Sequence, residues 1–330
     1  MLTSISLRRL TYLILLSILT VILVSACNTT HDINITSYKQ SVENCRNVQH
    51  VMGSTCIPRN PQRVVTLDSF ENTWALGIRA IASTHVPGFP MAKYLQSKVE
   101  QVESVGSYNS PNIEKILKLK PDLIISGSDL KGIYKQLSYI APTVVLNTPY
   151  PPPNWIDTFE ELAQILGKEE VSKQLIDKYW QRVENLKQAL GVGAASPKEN
   201  RRNTIKVSIA NTSSESGIWS YGEKHFSGSV LKDIGLQRPK SQRGDFFYIE
   251  NISKEKIFDI DGDVLFFVSW EREDDKKTLN KLKQSPLWSQ LEVFQKNKVY
   301  FVGRHWHSSD IFAINAILDD LEKYLVNSYQ

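Results

Sequence analysis

The residues of this chain best suited to chemistry are aromatics and arginines. Segments that follow strand-like runs carry Trp219-Ser220-Tyr221, Ser269-Trp270-Glu271-Arg272 and Gly303-Arg304-His305-Trp306. Arg243 lies just ahead of Phe246-Phe247-Tyr248, and Tyr108 follows Val105-Gly106. Aromatic faces bury an organic shell. A guanidinium offers planar, forked donors to exposed oxygens. The candidate ligand-binding set is therefore Tyr108, Trp219, Tyr221, Arg243, Trp270, Arg304 and Trp306. The competing role for Trp219, Trp270 and Trp306 is packing, and for Arg243 and Arg304 a surface ion pair. His305 and His307 form a His-x-His pair, with His85 and His225 elsewhere. A bare ion needs converging imidazoles and carboxylates, so no directly bound metal is expected. Catalytic constellations are missing. Ser126-Gly127-Ser128 and Ser227-Gly228-Ser229 lack the outer glycines of a nucleophile elbow. No Walker A or G-x-G-x-x-G motif occurs. A non-enzymatic binding protein without a cofactor is the expectation.

Cysteine chemistry sets the compartment. Arg8 and Arg9 precede an uncharged run from Leu10 to Ala26, which ends Leu23-Val24-Ser25-Ala26-Cys27. A positive start, an apolar run and small residues before a cysteine make a lipoprotein signal peptide. The Cys27 thiol takes the lipid, palmitate among its acyl chains, and becomes the membrane attachment. A plain membrane span is the weaker reading, because seventeen uncharged residues are marginal for one. Cys45 and Cys56 remain as an even pair, with Gly53 between them. In an exported protein they are expected to form a disulfide. Zinc would need four ligands, and His50 is the only histidine nearby. The chain has 39 basic and 35 acidic side chains, and loss of the leader removes Arg8 and Arg9. So small an excess, without a basic stripe, excludes nucleic acid as the partner.

The loops need a scaffold, and a repeated pattern supplies it. Residues 112–126 read N-I-E-K-I-L-K-L-K-P-D-L-I-I-S, and residues 253–267 read S-K-E-K-I-F-D-I-D-G-D-V-L-F-F. Each opens on a good N-cap, Asn112 or Ser253. Each has a Glu in the first turn, Glu114 or Glu255, then an Asp eight residues on, Asp122 or Asp263. Each reads as a short amphipathic helix, a turn and a strand covered on both faces. Two such units predict two α/β lobes. Between them, residues 155–166 and 169–190 read as helices separated by Gly167. The second would span about 33 Å. The predicted fold is α/β: two Rossmann-like lobes with mostly parallel sheets, joined by a long helix. The predicted division is a leader 1–26, a lipidated tether and disulfide loop 27–60, a first lobe 61–150, connecting helices and linker 151–203, and a second lobe 204–330. Ligands in open parallel sheets meet the loops at the strands' carboxyl ends, which points to the cleft between the lobes. Glu114 and Glu255 either complement helix dipoles or stand as matched knobs, one on each lobe.

Several segments together resemble the periplasmic substrate-binding proteins of iron-siderophore ABC importers. They include Pro61-Gln62-Arg63-Val64-Val65, Val105-Gly106 with Pro111-Asn112-Ile113-Glu114, and Leu119-Lys120-Pro121-Asp122-Leu123. Others are Leu137-Ser138-Tyr139-Ile140-Ala141-Pro142-Thr143, Val230 to Pro239 and Ser285-Pro286-Leu287-Trp288. The resemblance implies the helical-backbone periplasmic binding protein fold. It implies a ferric siderophore as ligand, whose iron is already coordinated by the chelator. It implies an ABC permease dimer of the inner membrane as partner, docked through Glu114 and Glu255. A monomer in the periplasm is expected, lipid-anchored to the inner rather than the outer membrane. A cobalamin or haem carrier is the alternative ligand class, and a structural lipoprotein the alternative of another kind.

Overall fold

The structure is a computed structural model that describes residues 45–85, 95, 102–192, 205–213, 217–272 and 275–327. The signal peptide, Cys27, the tether up to residue 44 and most of the 191–203 linker lie outside the described residues. Strands β1 (Cys45–His50) and β2 (Gly53–Pro58) form a two-stranded sheet. Gly53 turns the chain at φ 116°, where a side chain would be strained. Cys45 and Cys56 are both disulfide-bonded.

The first lobe is built by simple alternation. Its elements are β3 (Val64–Thr66), α1 (Phe70–Ala75), β4 (Ala80–Ser83) and β5 (Glu103–Ser104). A small hairpin of β6 (Gly106–Ser107) and β7 (Ser110–Pro111) follows. Then come α2 (Ile113–Leu119), β8 (Leu123–Gly127), α3 (Tyr134–Ile140) and β9 (Thr143–Leu146). The five-stranded sheet has the order β5-β4-β3-β8-β9, and every pairing is parallel. All five residues of β8 are buried, as a strand covered on both faces requires. Asn112 caps α2 by accepting from the Lys115 amide at 2.9 Å. Asp122 accepts from the amides of Gln62 and Arg63 at 2.7 and 2.9 Å. The repeated aspartate thus staples the start of its strand to the start of the neighbouring one.

Helices α4 (Trp155–Leu166) and α5 (Glu169–Leu190) have the predicted bounds. Both end on glycines in the left-handed region, Gly167 and Gly191, each at φ 65°. The inner face of α5 is Ile176, Tyr179, Val183, Leu186 and Leu190, at helical spacing and buried. Arg46 of β1 donates to the carbonyls of Gln164 and Ile165, in the last turn of α4.

The second lobe has a mixed sheet, where the first is all parallel. Strand β10 (Val207–Ser213) pairs antiparallel with β11 (Gly217–Tyr221), the next strand in the chain. Next come α6 (Phe226–Ile234), β12 (Tyr248–Ile249), β13 (Val264–Val268), α7 (Asp275–Gln284), α8 (Glu292–Gln295), β14 (Val299–Val302) and α9 (Ile311–Leu321). The order is β12-β11-β10-β13-β14. Pairings β10–β13 and β13–β14 are parallel; β10–β11 and β11–β12 are antiparallel. The serine-rich stretch around residue 214 ends at Gly217, whose φ of 66° suits a turn. Asp263 accepts from the Lys206 amide at 2.7 Å, the counterpart of Asp122.

The second repeat copy is not an α-helix. Lys254–Ile260 is a 3-10 helix, and Ser253 makes no side-chain cap. Ile257 and Ile260, three apart, are both fully buried. A helix with three residues per turn puts both on one line, facing the core.

Arg46–Gln330 form one compact unit. One apolar cluster runs through it, from Val64, Leu123 and Val144 through Phe159, Tyr179 and Val183 to Val207, Phe266 and Ile314. Among the described residues no helix is long and apolar enough to cross a membrane.

Candidate functional site

In the first lobe the carboxyl ends of three strands are welded together. Ser128, after β8, donates its amide to the Thr148 hydroxyl at 3.0 Å, and the two hydroxyls lie 2.9 Å apart. A Cβ on Gly127 would come within 2.4 Å of the Asp68 carboxylate and 3.2 Å of the Thr148 hydroxyl. Glycine there lets the loop after β3 close against the loop after β9. Asp68 accepts from the Ser69 hydroxyl at 2.8 Å and from the Tyr108 hydroxyl. Burial pushes the Asp68 carboxyl up, and the Tyr108 hydrogen bond works against that. Tyr108 itself is 42% exposed. Its hydroxyl is therefore held while part of the residue stays open to solvent.

In the second lobe the aromatics fall into two layers. Trp219 of β11 stacks on Tyr248 of β12, with centroids 5.1 Å apart and planes 29° from parallel. The Tyr248 hydroxyl bonds to that of Tyr150, from the loop after β9. Phe247 also meets Tyr150, edge-on at 6.4 Å. An aromatic seam thus leads from one lobe into the other.

The second layer is centred on His307. Its ring lies flat on Trp270, with centroids 3.8 Å apart and an interplanar angle of 8°. The Tyr221 hydroxyl is 2.9 Å from Nδ1, and the Asn211 amide nitrogen is 3.2 Å from Nε2. Burial holds the imidazole well down, to about 3, so it is neutral at neutral pH. His225, packed 4.3 Å from Tyr221, is also held well below its ordinary value by burial. Behind Tyr221, the buried Arg238 donates to the carbonyls of Val207 and Tyr221 at 2.9 and 2.7 Å. Burial lowers that guanidinium to about 9. Arg238 braces the strands rather than facing a ligand.

The lobes also meet at α1 and α9, which pack on one another. Asn72 Oδ1 accepts from the Ile311 amide at 3.1 Å, and Asp310 caps α9 by accepting from Ala313 at 2.9 Å. Glu71 sits at this seam. Burial, reinforced by the charge of Asp310, pushes its carboxyl up to about 7, while Arg304 pulls the other way.

The predicted residues separate clearly. Tyr108, Trp270 and Arg304 stand in loops after strands and Trp219 lies within β11, each with part of its surface accessible. Arg243 is exposed, its Nε donating to the Arg238 carbonyl at 2.8 Å. Tyr221 is only 1% exposed and contributes through its hydroxyl to His307. Trp306 does not belong to the set. It is fully buried, stacked on Phe266 at 4.4 Å, and its Nε1 donates to Asp320 at 2.9 Å. A side chain closed on every side has no face for a ligand. His305 is likewise committed to Asp320, at 2.8 Å. Among the described residues no group of three or more His, Cys, Asp or Glu could hold a metal ion. Sequence reasoning passed over Tyr150, Tyr248 and His307 as members of the site. Tyr150 was signalled only by its place at a strand's carboxyl end. Glu114 and Glu255 are both exposed, in the first turns of α2 and of the 3-10 helix.

A family model described as periplasmic binding protein matches residues 64–304. The "Probable siderophore-binding lipoprotein YfiY" of Bacillus subtilis is 33% identical over 327 residues, covering 94% of this chain and 96% of its own. The Fe(3+)-citrate-binding protein YfmC of the same organism is 30% identical over 291 residues, 87% of each chain. Among solved structures, Staphylococcus aureus SirA complexed with staphyloferrin B superposes with a TM-score of 0.68 at 27% identity, covering 85% of this chain and 98% of that one.

Proposed function

The chain belongs to the periplasmic binding protein family, and from that membership we propose how it works as the substrate-binding component of an ABC importer. It captures a ferric siderophore between its lobes and hands it to a permease. It is not an enzyme. Relatives and structural neighbours are named for siderophores and ferric chelates, so cobalamin and haem are not favoured.

The observation that carries the chemistry is the aromatic lining with arginines beside it. Trp219 and Trp270 are each held by a stacked partner, and Tyr108 is held by Asp68. Side chains already fixed lose little freedom when they meet a ligand. The contacts are Tyr108, Trp219 and Trp270 against the chelator's organic shell, and Arg243 and Arg304 to its oxygens. Tyr221 acts from behind through His307. The chelator saturates the iron, so the protein supplies no metal ligand and no cofactor.

Around this core stand the finer assignments. The chain divides at about residues 26, 60, 150 and 203. Cys27 carries lipid, giving an extracytoplasmic, membrane-anchored monomer that faces the permease on the inner membrane. Cys45 and Cys56 bridge to each other. Glu114 and Glu255, one per lobe, meet cationic sites on two related permease subunits.

Tryptophan quenching and calorimetry test the ligand class. The titrants are ferric citrate, ferric staphyloferrin B, a ferric hydroxamate, haem, cobalamin, free ferric ion and zinc. At least one ferric chelate should bind tenfold or more tighter than haem, cobalamin and either bare ion, a gap of about 1.4 kcal/mol. Tight stoichiometric binding of a bare ion, with none of any chelate, would overturn the reading.

A further inference from the structure

The repeated helix pattern carries more than its glutamates. It reads Glu-Lys-Ile-Leu at residues 114–117 and Glu-Lys-Ile-Phe at residues 255–258. In both copies the isoleucine is fully buried, Ile116 and Ile257. In both copies the residue after it points outward: Leu117 is 57% exposed and Phe258 is 48% exposed. A single exposed apolar residue on a protein surface is ordinary. Here the same position of two units is apolar and exposed in both lobes, although one unit is an α-helix and the other a 3-10 helix. The core contact of each unit is made by the isoleucine before it.

Position relative to the glutamate gives the two residues a common use. Residues three apart share a face on an α-helix and eclipse on a 3-10 helix. Leu117 therefore stands beside Glu114, and Phe258 beside Glu255. Each lobe presents one carboxylate and one apolar side chain as neighbours.

We propose that Leu117 and Phe258 are apolar anchors that enter sockets on the permease, one in each of its two related subunits, beside the cations that receive Glu114 and Glu255. The proposal rests on the docking reading of those glutamates and adds the second half of the contact. Two equivalent patches on one chain fit a partner with two equivalent sockets. The division of labour follows from general interface physics. A rim charge sets orientation and encounter rate. A large apolar side chain buried on docking supplies the hold.

The test uses the full-length chain in cells that express it. A photoreactive residue replaces Lys118 in one experiment and Lys256 in another, both exposed neighbours of the patches. Each should cross-link to an ABC permease subunit, identified by mass spectrometry. Adding Leu117→Ser with Phe258→Ser should lower the cross-link yield at least fivefold, with the thermal midpoint unchanged. Leu117→Met with Phe258→Leu, which keeps the apolar character, should retain the yield. Glu114→Ala with Glu255→Ala is the separate arm for the glutamates. If the glutamate pair lowers the yield and the serine pair does not, the anchors are wrong and the docking reading stands. If neither pair lowers it, or the adducts are not permease subunits, both fall. A yield lost in the conservative pair as well also counts against the anchors.

Discussion

Trp306 and Trp270 lie in loops that read alike in the sequence, yet they have opposite duties. Trp306→Ala should cost about 3–5 kcal/mol of stability in urea unfolding, as for a large buried aromatic. Trp270→Ala should instead weaken chelate binding at least tenfold in a fluorescence or calorimetric titration. Nothing in Gly303-Arg304-His305-Trp306-His307 separates an inward ring from an outward one. The deciding partner, Asp320, lies on α9, 14 residues later. His307 makes the same point in reverse. A histidine beside a tryptophan was legible, but the flat stack and the Tyr221 and Asn211 bonds needed three elements to be placed first. Its buried imidazole stays neutral down to about 3, whereas the unfolded chain takes up the proton near 6.5. The unfolded state therefore binds more protons between those values. Stability from this group is complete above pH 6.5 and is lost as pH falls toward 3. His307→Asn should flatten the fall in urea midpoint between pH 6 and pH 4. An unchanged slope would remove the histidine from that role.

At the scale of elements, periodicity and punctuation were enough where both were strong. Helices α4 and α5 were legible to the residue because an apolar stripe runs between glycines that end each one. The hairpin from β10 to β11 was not, since a short apolar run followed by serines fits a strand before either a turn or a helix. The 3-10 helix at Lys254–Ile260 was hidden because its isoleucine spacing also fits one turn of α-helix. The repeated aspartate was visible, but its work was not. Asp122 and Asp263 each receive a backbone amide from the chain entering the sheet beside them. Asp122→Ala removes two amide bonds to a carboxylate and Asp263→Ala removes one. Hydrogen bonds to charged groups contribute about 1.5–3 kcal/mol. Chemical unfolding should show losses near the lower end of that range, because both sites are exposed, with Asp122→Ala the larger. Equal, negligible losses would mean the staples are incidental.

For the molecule as a whole, the sequence foretold two α/β lobes and a long helix, and it missed how closely α1 and α9 join the lobes. That junction has an electrostatic signature. Glu71 is pushed up to about 7 at the seam, from an ordinary value of 4.5. Between those values the folded protein holds the extra proton, so its stability falls as pH rises through the window and then levels off. Glu71→Gln should therefore raise the thermal midpoint more at pH 8 than at pH 5. An equal effect at both values would show that the carboxyl titrates normally.

The long helix also has an allegiance. Tyr179 bonds to Asp233 at 2.6 Å, and Arg182 reaches Asn315 at 2.9 Å and Asp319 beyond it, all in the second lobe. A chimera that exchanged lobes between two carriers at residues 193–204 would sever these bonds and divide the shared apolar cluster. A graft made at Pro151-Pro152-Pro153 keeps α5 with the partners it was fitted to. The lobes echo each other in sequence, but the heritable module is the second lobe together with its spine.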